Sequence, residues 1–463
     1  MNFKRNFAGI VSATLMAMSS PAGAESLGDA LASAYKHSGL LKQNQAVLRA
    51  ADEDVAIALS GLRPTIDYSL SHSWRDVDGA GPAVDTRVNS ASLTASMLLY
   101  NFGRTQLGIQ ASKEVVMATR DTLVGIEQTI LLRAVRAFLD VRSTNENAAL
   151  QANSVRVLAQ ELRAAQDRFE VGEVTQTDVA IARARLASAR ANQVTAQGEL
   201  EIAREEYRAA VGHLPKSFPN TPGLPKTANS LAAAKSVARD RHPDIQAAQH
   251  RVNAADLGVE VAKKAMLPSL VGSAQTSFTD TIGDSTGGSF NNQIGVTLRG
   301  EFYAGGRRSA EYRKSIAQAE QARAALDLAR ITVDQNVADA WSKMSIAAAR
   351  LEASERQIRA SRVALRGARE EATLGSRTTL DVLNAEQELL NAEASRITSQ
   401  SDRFLAAYSL LAAMGLLTAE HLKLGVASYD VDAYYNAVRN APVRQVSPQG
   451  EKLDAIISIL GKN

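Results

Sequence analysis

The heptapeptide G-x-x-T-x-x-D is written twice in this chain. Gly172, Thr175 and Asp178 recur as Gly375, Thr378 and Asp381, each pair 203 residues apart. A Thr three residues ahead of an Asp can open a helix. The Thr hydroxyl accepts a backbone N–H, the carboxylate answers reciprocally, and its charge meets the positive end of the helix dipole for about 0.3–1 kcal/mol. The same carboxylate, carried at the tip of a helix pair in a symmetric assembly, would be multiplied into a ring that attracts cations and repels anions. The two uses are compatible. No other residues have the spacing of a reacting centre. The six histidines (His37, His72, His213, His242, His250 and His421) lack metal-ligand spacing, and His242 and His250 stand eight apart. There is no G-x-x-x-x-G-K-[ST] loop, no G-x-S-x-G elbow and no pair of catalytic carboxylates. AGGRR (304–308) has a twin in NFGRT (101–105), so both read as strand-to-helix turns rather than phosphate loops. No catalytic residue, metal ligand or cofactor is expected.

The repeated turn is one point in a longer duplication. AYKHSGLLKQNQAVLRAADEDVAIA (34–58) lies over ARDRHPDIQAAQHRVNAADLGVEVA (238–262), sharing the Ala-Ala-Asp of 50–52 and 254–256. LRPTIDYSLSHSW (62–74) lies over MLPSLVGSAQTSF (266–278). Matches at an offset of 203 or 204 over such a span mean two related halves, with a period far beyond the 20–50 residues of solenoid arrays. The expected organisation is a signal peptide at 1–24, a first repeat at 25–211 and a Pro-rich linker at 212–230. A second repeat at 231–417 and a tail at 418–463 follow. Each repeat reads as helix, β-hairpin (62–102 or 266–306), long helix, turn and returning helix.

The opening MNFKRNFAGIVSATLMAMSSPAGA has Lys4 and Arg5, a short apolar core, and the A-x-A of Ala22-Gly23-Ala24, which is the pattern of a secretory signal. Removing it takes the net charge from +3 to +1, which argues against nucleic acid as a main partner. Cysteine is absent, so an exported chain of this kind rests on packing or oligomerisation rather than disulfides. No later apolar run reaches the roughly 18–20 residues of a spanning helix. The nearest, Ala406 to Leu417, suits a buried helix end.

Period-two alternation marks the hairpins. Ile66, Tyr68, Leu70, His72 and Trp74 face away from Thr65, Asp67, Ser69, Ser71 and Ser73, and Ala91 to Leu99 alternate in the same way. Leu270 to Phe278 and Ile294 to Phe302 repeat the pattern, with Arg299 and Glu301 on the polar face; 75–89 and 279–292 read as Gly/Asp/Ser/Asn-rich loops. Such hairpins fit either a soluble sandwich or membrane strands, and aromatics near their ends (Trp74, Tyr100, Phe278, Tyr303) suit a membrane girdle. The stretches 104–170 and 307–373 contain no Pro. Ala134, Val141, Ala148, Val155 and Leu162 step by seven, as do Val337, Met344, Leu351, Ile358 and Leu365. A second stripe runs Leu123, Ile130, Ala137 and again Leu326, Val333, Ala340. Strict sevens mean coiled-coil packing, and two seams place each helix between two neighbours. A helix of 67 residues would span about 100 Å. The returning helices are expected at about 176–211 and 379–416.

Four strands cannot close a transmembrane barrel, which starts at eight, and an open edge in lipid leaves backbone groups unsatisfied at several kcal/mol each. The chain must share a barrel with copies of itself: two give eight strands, three give twelve. The alternative is a soluble periplasmic coiled-coil scaffold or adaptor with a small β domain.

Over nearly the whole mature length these features resemble the TolC family of outer-membrane efflux and type I secretion channels. Paired strands ahead of long helices, duplicated halves and the two G-x-x-T-x-x-D turns carry the resemblance, and LGSRTTLDVLNA (374–385) is its most specific segment. The resemblance implies a mainly α fold with a β portion. Long coiled-coil helices would form an α-barrel tunnel in the periplasm, and a homotrimer would pool its strands into one 12-stranded β-barrel in the outer membrane of a Gram-negative bacterium. It implies an exit duct served by a periplasmic adaptor (membrane fusion) protein and an inner-membrane ABC or proton-driven transporter, with outer-membrane lipid around the barrel. By the same resemblance Asp381 is the acidic ring residue, and Arg377 and Asp178, with Thr177 beside it, form a charged link between neighbouring tips. Gly172, Gly375, Thr175 and Thr378 shape the turns. Two positions depart from the family's pattern: Asn384 replaces a second ring aspartate and Ala372 a latch tyrosine. Both imply a leakier, less cation-blocked gate. The tail at 426–440 is similar to members serving type I secretion.

Overall fold

The computed structural model describes residues 25–77, 84–215, 223–282 and 287–440. The expected signal peptide (1–24), residues 216–222 of the linker, hairpin residues 78–83 and 283–286, and tail residues 441–463 lie outside the described residues.

In chain order the elements are α1 (Leu27–His37), α2 (Gly39–Ser60), β1 (Thr65–Val77), β2 (Val84–Tyr100), α3 (Arg104–Glu170) and α4 (Gln176–Val211). The same order then recurs: α5 (Leu231–Arg241), α6 (Pro243–Lys264), β3 (Ser269–Ile282), β4 (Ser289–Arg299), α7 (Arg307–Thr373) and α8 (Thr379–Ala413), with α9 (Val431–Val438) in the tail. The long helices α3 and α7 each run 67 residues, offset by 203, as their seven-residue stripes predict. The helix expected ahead of each hairpin is two helices. Ser38 leaves the helical conformation (ψ 114°) and caps α2 by accepting from the Leu41 N–H. In the second repeat His242 does so (ψ 126°), because the following Pro243 disfavours a helical residue before it.

The strands form one antiparallel sheet in the order β1-β2-β3-β4, so β2 and β3 join the two hairpins and, among the described residues, β1 and β4 each have a neighbour on one side only. Register puts Tyr68 opposite Leu93 and Ala274 opposite Ile294 on one face. That face is uncovered: Tyr68 is 81% and Ile294 89% exposed. On the other face Ser69 and Ser92 hydrogen bond at 3.0 Å, Ser71 and Ser90 at 2.7 Å, and Thr65 and Ser96 at 2.9 Å. Two expectations shift. Pairing continues into the supposed loops, to Val77 and from Val84 in the first hairpin and to Ile282 and from Ser289 in the second. A ladder needs only backbone groups, so it outlasts the apolar alternation that reveals it in the sequence. Conversely β4 ends at Arg299, paired with Ser269. The next residue on β3's side is Pro268, which has no N–H to donate, and Gly300 lies against its ring. Glu301 therefore lies beyond the strand, where it accepts from Arg307 at 2.7 Å and Arg308 at 2.9 Å.

The chain divides into two compact units, and neither is a repeat. Among the described residues, one gathers those up to His37 and those within 133–225 and 347–405; the other gathers those within 38–132 and 226–346 and those from 406 to 440. In the first, α1 packs on α4, and Ser33 Oγ donates to the Val211 carbonyl at 3.0 Å. In the second, which holds the sheet, Leu326, Val333, Val337 and Ala340 of α7 pack with Ala234, Ala238, Ile245 and Val252. The end of α8 joins them through Leu410 and Met414, so the Ala406–Leu417 run is a buried helix end. Among the described residues no helix is long and apolar enough to cross a membrane.

Candidate functional site: the two helical tips

Both G-x-x-T-x-x-D turns lie in the first unit and are built alike. At the end of α3 Gly172 takes φ 81°, the left-handed value that glycine adopts without Cβ strain. Its N–H donates to Phe169 O at 3.0 Å and the Glu173 N–H to Arg168 O at 2.9 Å, the paired bonds of a Schellman cap. At the end of α7 Gly375 has φ 76°, with Gly375 N–H on Ala372 O at 3.2 Å and Ser376 N–H on Glu371 O at 3.0 Å. Three residues later the chain re-enters a helix. Thr175 accepts from the Asp178 N–H at 3.3 Å, and Asp178 Oδ2 accepts from the Thr175 N–H at 2.9 Å and hydroxyl at 2.7 Å. Thr378 and Asp381 repeat this at 3.3, 3.0 and 2.8 Å. Both aspartates are thus reciprocal caps.

Capping sets their charge. The Thr378 N–H and then its hydroxyl, with a smaller contribution from Arg377, hold the Asp381 carboxyl below the usual carboxylate range. The Thr175 hydroxyl and N–H do the same for Asp178. Bonds donated to the ionised form favour it, so both stay carboxylates near neutrality.

The tips are anchored beneath these caps. Val382 and Leu383, next to Asp381, are buried. Leu383 packs with Leu158, Val179 and Leu186, carrying α8 onto α3 and α4, and Val382 packs with Leu365 and Ala368 of α7. Ala372 lies half-buried against that second cluster. Asn384 is exposed, and its Oδ1 accepts from Arg185 of α4 at 3.1 Å. Thr177 is exposed in the first turn of α4. Within the chain Arg377 and Asp178 are not brought together: Arg377 Nε donates to Glu371 at 2.6 Å, across its own turn. Arg369 of α7 bridges Glu161 of α3 at 3.2 Å and Glu386 of α8, and burial pushes the Glu386 carboxyl up.

Arg185, Glu371, Arg369 and Glu386 are not singled out by the sequence. Arg185 has no repeat signal, since Glu388 stands at its counterpart. Glu371 is detectable as an acid six residues ahead of Arg377 around a glycine turn. Arg369 depends on registration between helices, its partner Glu161 standing 208 residues away in the chain.

An uncovered apolar sheet face backed by a Ser/Thr face, with 67-residue helices in a duplicated chain, is the architecture expected of an outer-membrane duct. The chain belongs to the outer membrane efflux protein family, whose sequence profile matches residues 30–213 and 235–416. It is 35% identical over 428 residues to the outer membrane efflux protein BepC of Brucella suis biovar 1 (strain 1330), covering 92% of this chain and 93% of that one. To the outer membrane protein TolC of Escherichia coli (strain K12) it is 24% identical over 446 residues, covering 89% and 87%. Its fold matches the crystal structure of the Campylobacter jejuni CmeC outer membrane channel with a TM-score of 0.75 at 18% identity, over 96% of this chain and 98% of that one. The protein is accordingly an outer-membrane exit duct with periplasmic helices, and the soluble scaffold or adaptor is set aside.

Proposed function

We propose that three copies of this chain assemble into one conduit, and that the two tips of each copy close its periplasmic end. The sheet carries the reading: β1 and β4 are each paired on one side only, and one face is apolar and exposed while the other is lined by Ser and Thr. In lipid such edges need partners, and twelve strands from three chains supply them. The apolar face then meets acyl chains and the hydroxyl face meets water. The mature chain would start after a signal peptide at 1–24 and comprise repeats at 25–211 and 231–417, joined by 212–230 and followed by the tail at 418–463. Substrates would come from an inner-membrane ABC or proton-driven transporter through a periplasmic adaptor, and the duct itself would neither catalyse a reaction nor require a cofactor.

In this reading three Asp381 carboxylates form the constriction ring, with Asn384 contributing an amide where a second acid would have strengthened it. Arg377, Asp178 and Thr177 form the link between neighbouring tips, and Gly172, Gly375, Thr175 and Thr378 hold the turns in shape. Arg377 and Asp178 are occupied within the chain by Glu371 and Thr175, so a link across chains would require exchange of partners. An exposed ion pair of this kind contributes about 0.2–1 kcal/mol, weak enough for an adaptor to undo.

Single-channel conductance in planar bilayers tests both parts, comparing wild type with Asp381→Ala, with and without a multivalent cation. Small wild-type steps blocked by the cation, with block lost in the variant, are expected. A pore with equal block in both proteins would leave Asp381 a helix cap only, and folded trimers without conductance would overturn the duct assembly.

A further inference from the structure

The two repeats treat one ion pair differently. In the second repeat Asp256 of α6 accepts from Arg323 of α7 at 2.7 Å, and both side chains are exposed. The counterparts in the first repeat, at offsets of 204 and 203, are Asp52 of α2 and Arg120 of α3. Here the pair is not made. Arg120 donates through Nη1 to Asp432 at 2.7 Å and through Nη2 to the Val431 carbonyl at 3.2 Å, and its guanidinium lies 5.4 Å from the centre of the Tyr435 ring. All three partners belong to α9. Among the described residues Asp52, fully buried, has neither carboxylate oxygen hydrogen bonded, and Arg120 Nε is buried without a partner as well.

The tail makes further contacts with the first repeat. The Tyr434 hydroxyl donates to Glu53 at 2.8 Å, Arg63 donates to the Asn440 carbonyl, and Val438 is buried. Asp430 caps α9 by accepting from the Asp432 and Ala433 N–H groups. The residue corresponding to Glu53 in the second repeat is Leu257, which offers Tyr434 no acceptor. Helix α9 therefore has a chemical reason to dock on the first repeat rather than on its counterpart in the second.

We propose that α9 is a releasable strap that docks by taking Arg120 away from Asp52, and that its release closes an Asp52–Arg120 pair like the Asp256–Arg323 pair of the second repeat. The docked form leaves a buried carboxylate unpaired, a destabilisation that the undocked form lacks. That opposes docking from within the fold and makes the strap two-state. The groups facing Asp52 are Arg120 from α3, Glu53 beside it on α2, and Asp432 from α9. Burial pushes the Asp52 carboxyl up to about 6, and Glu53 and Asp432 add to the rise while Arg120 opposes it. The docked form therefore binds the proton more tightly than an undocked form with a salt-bridged Asp52. Acidification through about pH 6 holds the strap down, and rising pH loosens it.

The test is hydrogen exchange of the α9 amides in full-length, detergent-purified protein, referenced at each pH to the chemical exchange rate. Asp52→Asn removes the competitor, so α9 opening should fall roughly tenfold at pH 8 and lose its pH dependence. Arg120→Met should open α9 fully, and Asp256→Asn should leave it unchanged. An Asp52→Asn protein whose α9 opens as readily as wild type, or more so, would show that the carboxylate does not compete for Arg120 and would overturn the proposal. Should Asp52→Asn fail to fold, wild-type protein between pH 5.5 and 8 decides: α9 opening that rises with pH supports the exchange, and a flat profile overturns it.

Discussion

Asp381 is tied down by its own helix start, within a single chain. Its Oδ2 takes both bonds from Thr378, and those bonds hold it ionised. The sign of the pH dependence follows. A carboxyl held below its unfolded value of about 3.9 contributes its full stabilisation above that pH and loses it as pH falls through the lower folded value. Cation block through Asp381 should thus be flat from pH 7 to pH 5 and vanish only below about pH 4, as measured by conductance at fixed multivalent cation. A block that disappears near pH 6 would instead mean carboxylates crowded enough to repel one another. Arg185 matters at the same scale, because it places a guanidinium against Asn384, one turn from Asp381. Arg185→Gln should shift the reversal potential toward cation selectivity and strengthen multivalent block. An unchanged reversal potential in a conducting variant would leave Arg185 out of the proposed constriction.

At the scale of elements, each tip is a Schellman cap followed by a capping box, so its stability is mostly local. Gly375 has φ 76° and open space where a Cβ would stand, which makes Gly375→Ala a backbone-strain experiment without a steric clash. It should cost about 1 kcal/mol, as should Thr175→Ala through its lost cap, each read as a lowered melting temperature of the purified protein. Larger losses would mean that the turns also bear contacts between chains. This locality explains why the turns, the bounds of α3 and α7 and the alternating faces of the hairpins were legible in the sequence. Strand ends were less so. Pairing past Trp74 runs through polar residues that alternate in no visible pattern, and Pro268 ends β4 early from the strand opposite.

For the whole molecule the sheet's two faces decide the outcome. Val296 and Thr94 lie on opposite faces by register, the first exposed among apolar neighbours and the second on the hydroxyl face. In a lipid-embedded barrel Val296→Arg should cost about 2–4 kcal/mol and lower the yield of outer-membrane trimers. Thr94→Lys should leave trimers intact and change only conductance and ion preference. Equal tolerance of both changes would argue against a shared barrel. The compact units also cut across the two repeats, so a chain truncated after Val211 would lack the partners of its own helices. Leu383, for example, fills a core otherwise built by α3 and α4.

The sequence by itself determined the duplication, the order of hairpin, long helix, turn and returning helix in each half, the lengths of the long helices, the caps at both tips and the apolar and hydroxyl faces of the strands. All of these are encoded by periods of 2, 3.6 and 7 or by contacts within six residues, where the chain's own geometry leaves little choice. The tertiary structure alone decided which helix meets which. It set Arg369 between Glu161 and Glu386, gave Asn384 to Arg185, and turned Arg120 to the tail while Arg323, its twin, stayed with Asp256. A periodic stripe states that a face must be covered but not by what. The partner of a charge two or three hundred residues away depends on helix registration, which only packing supplies.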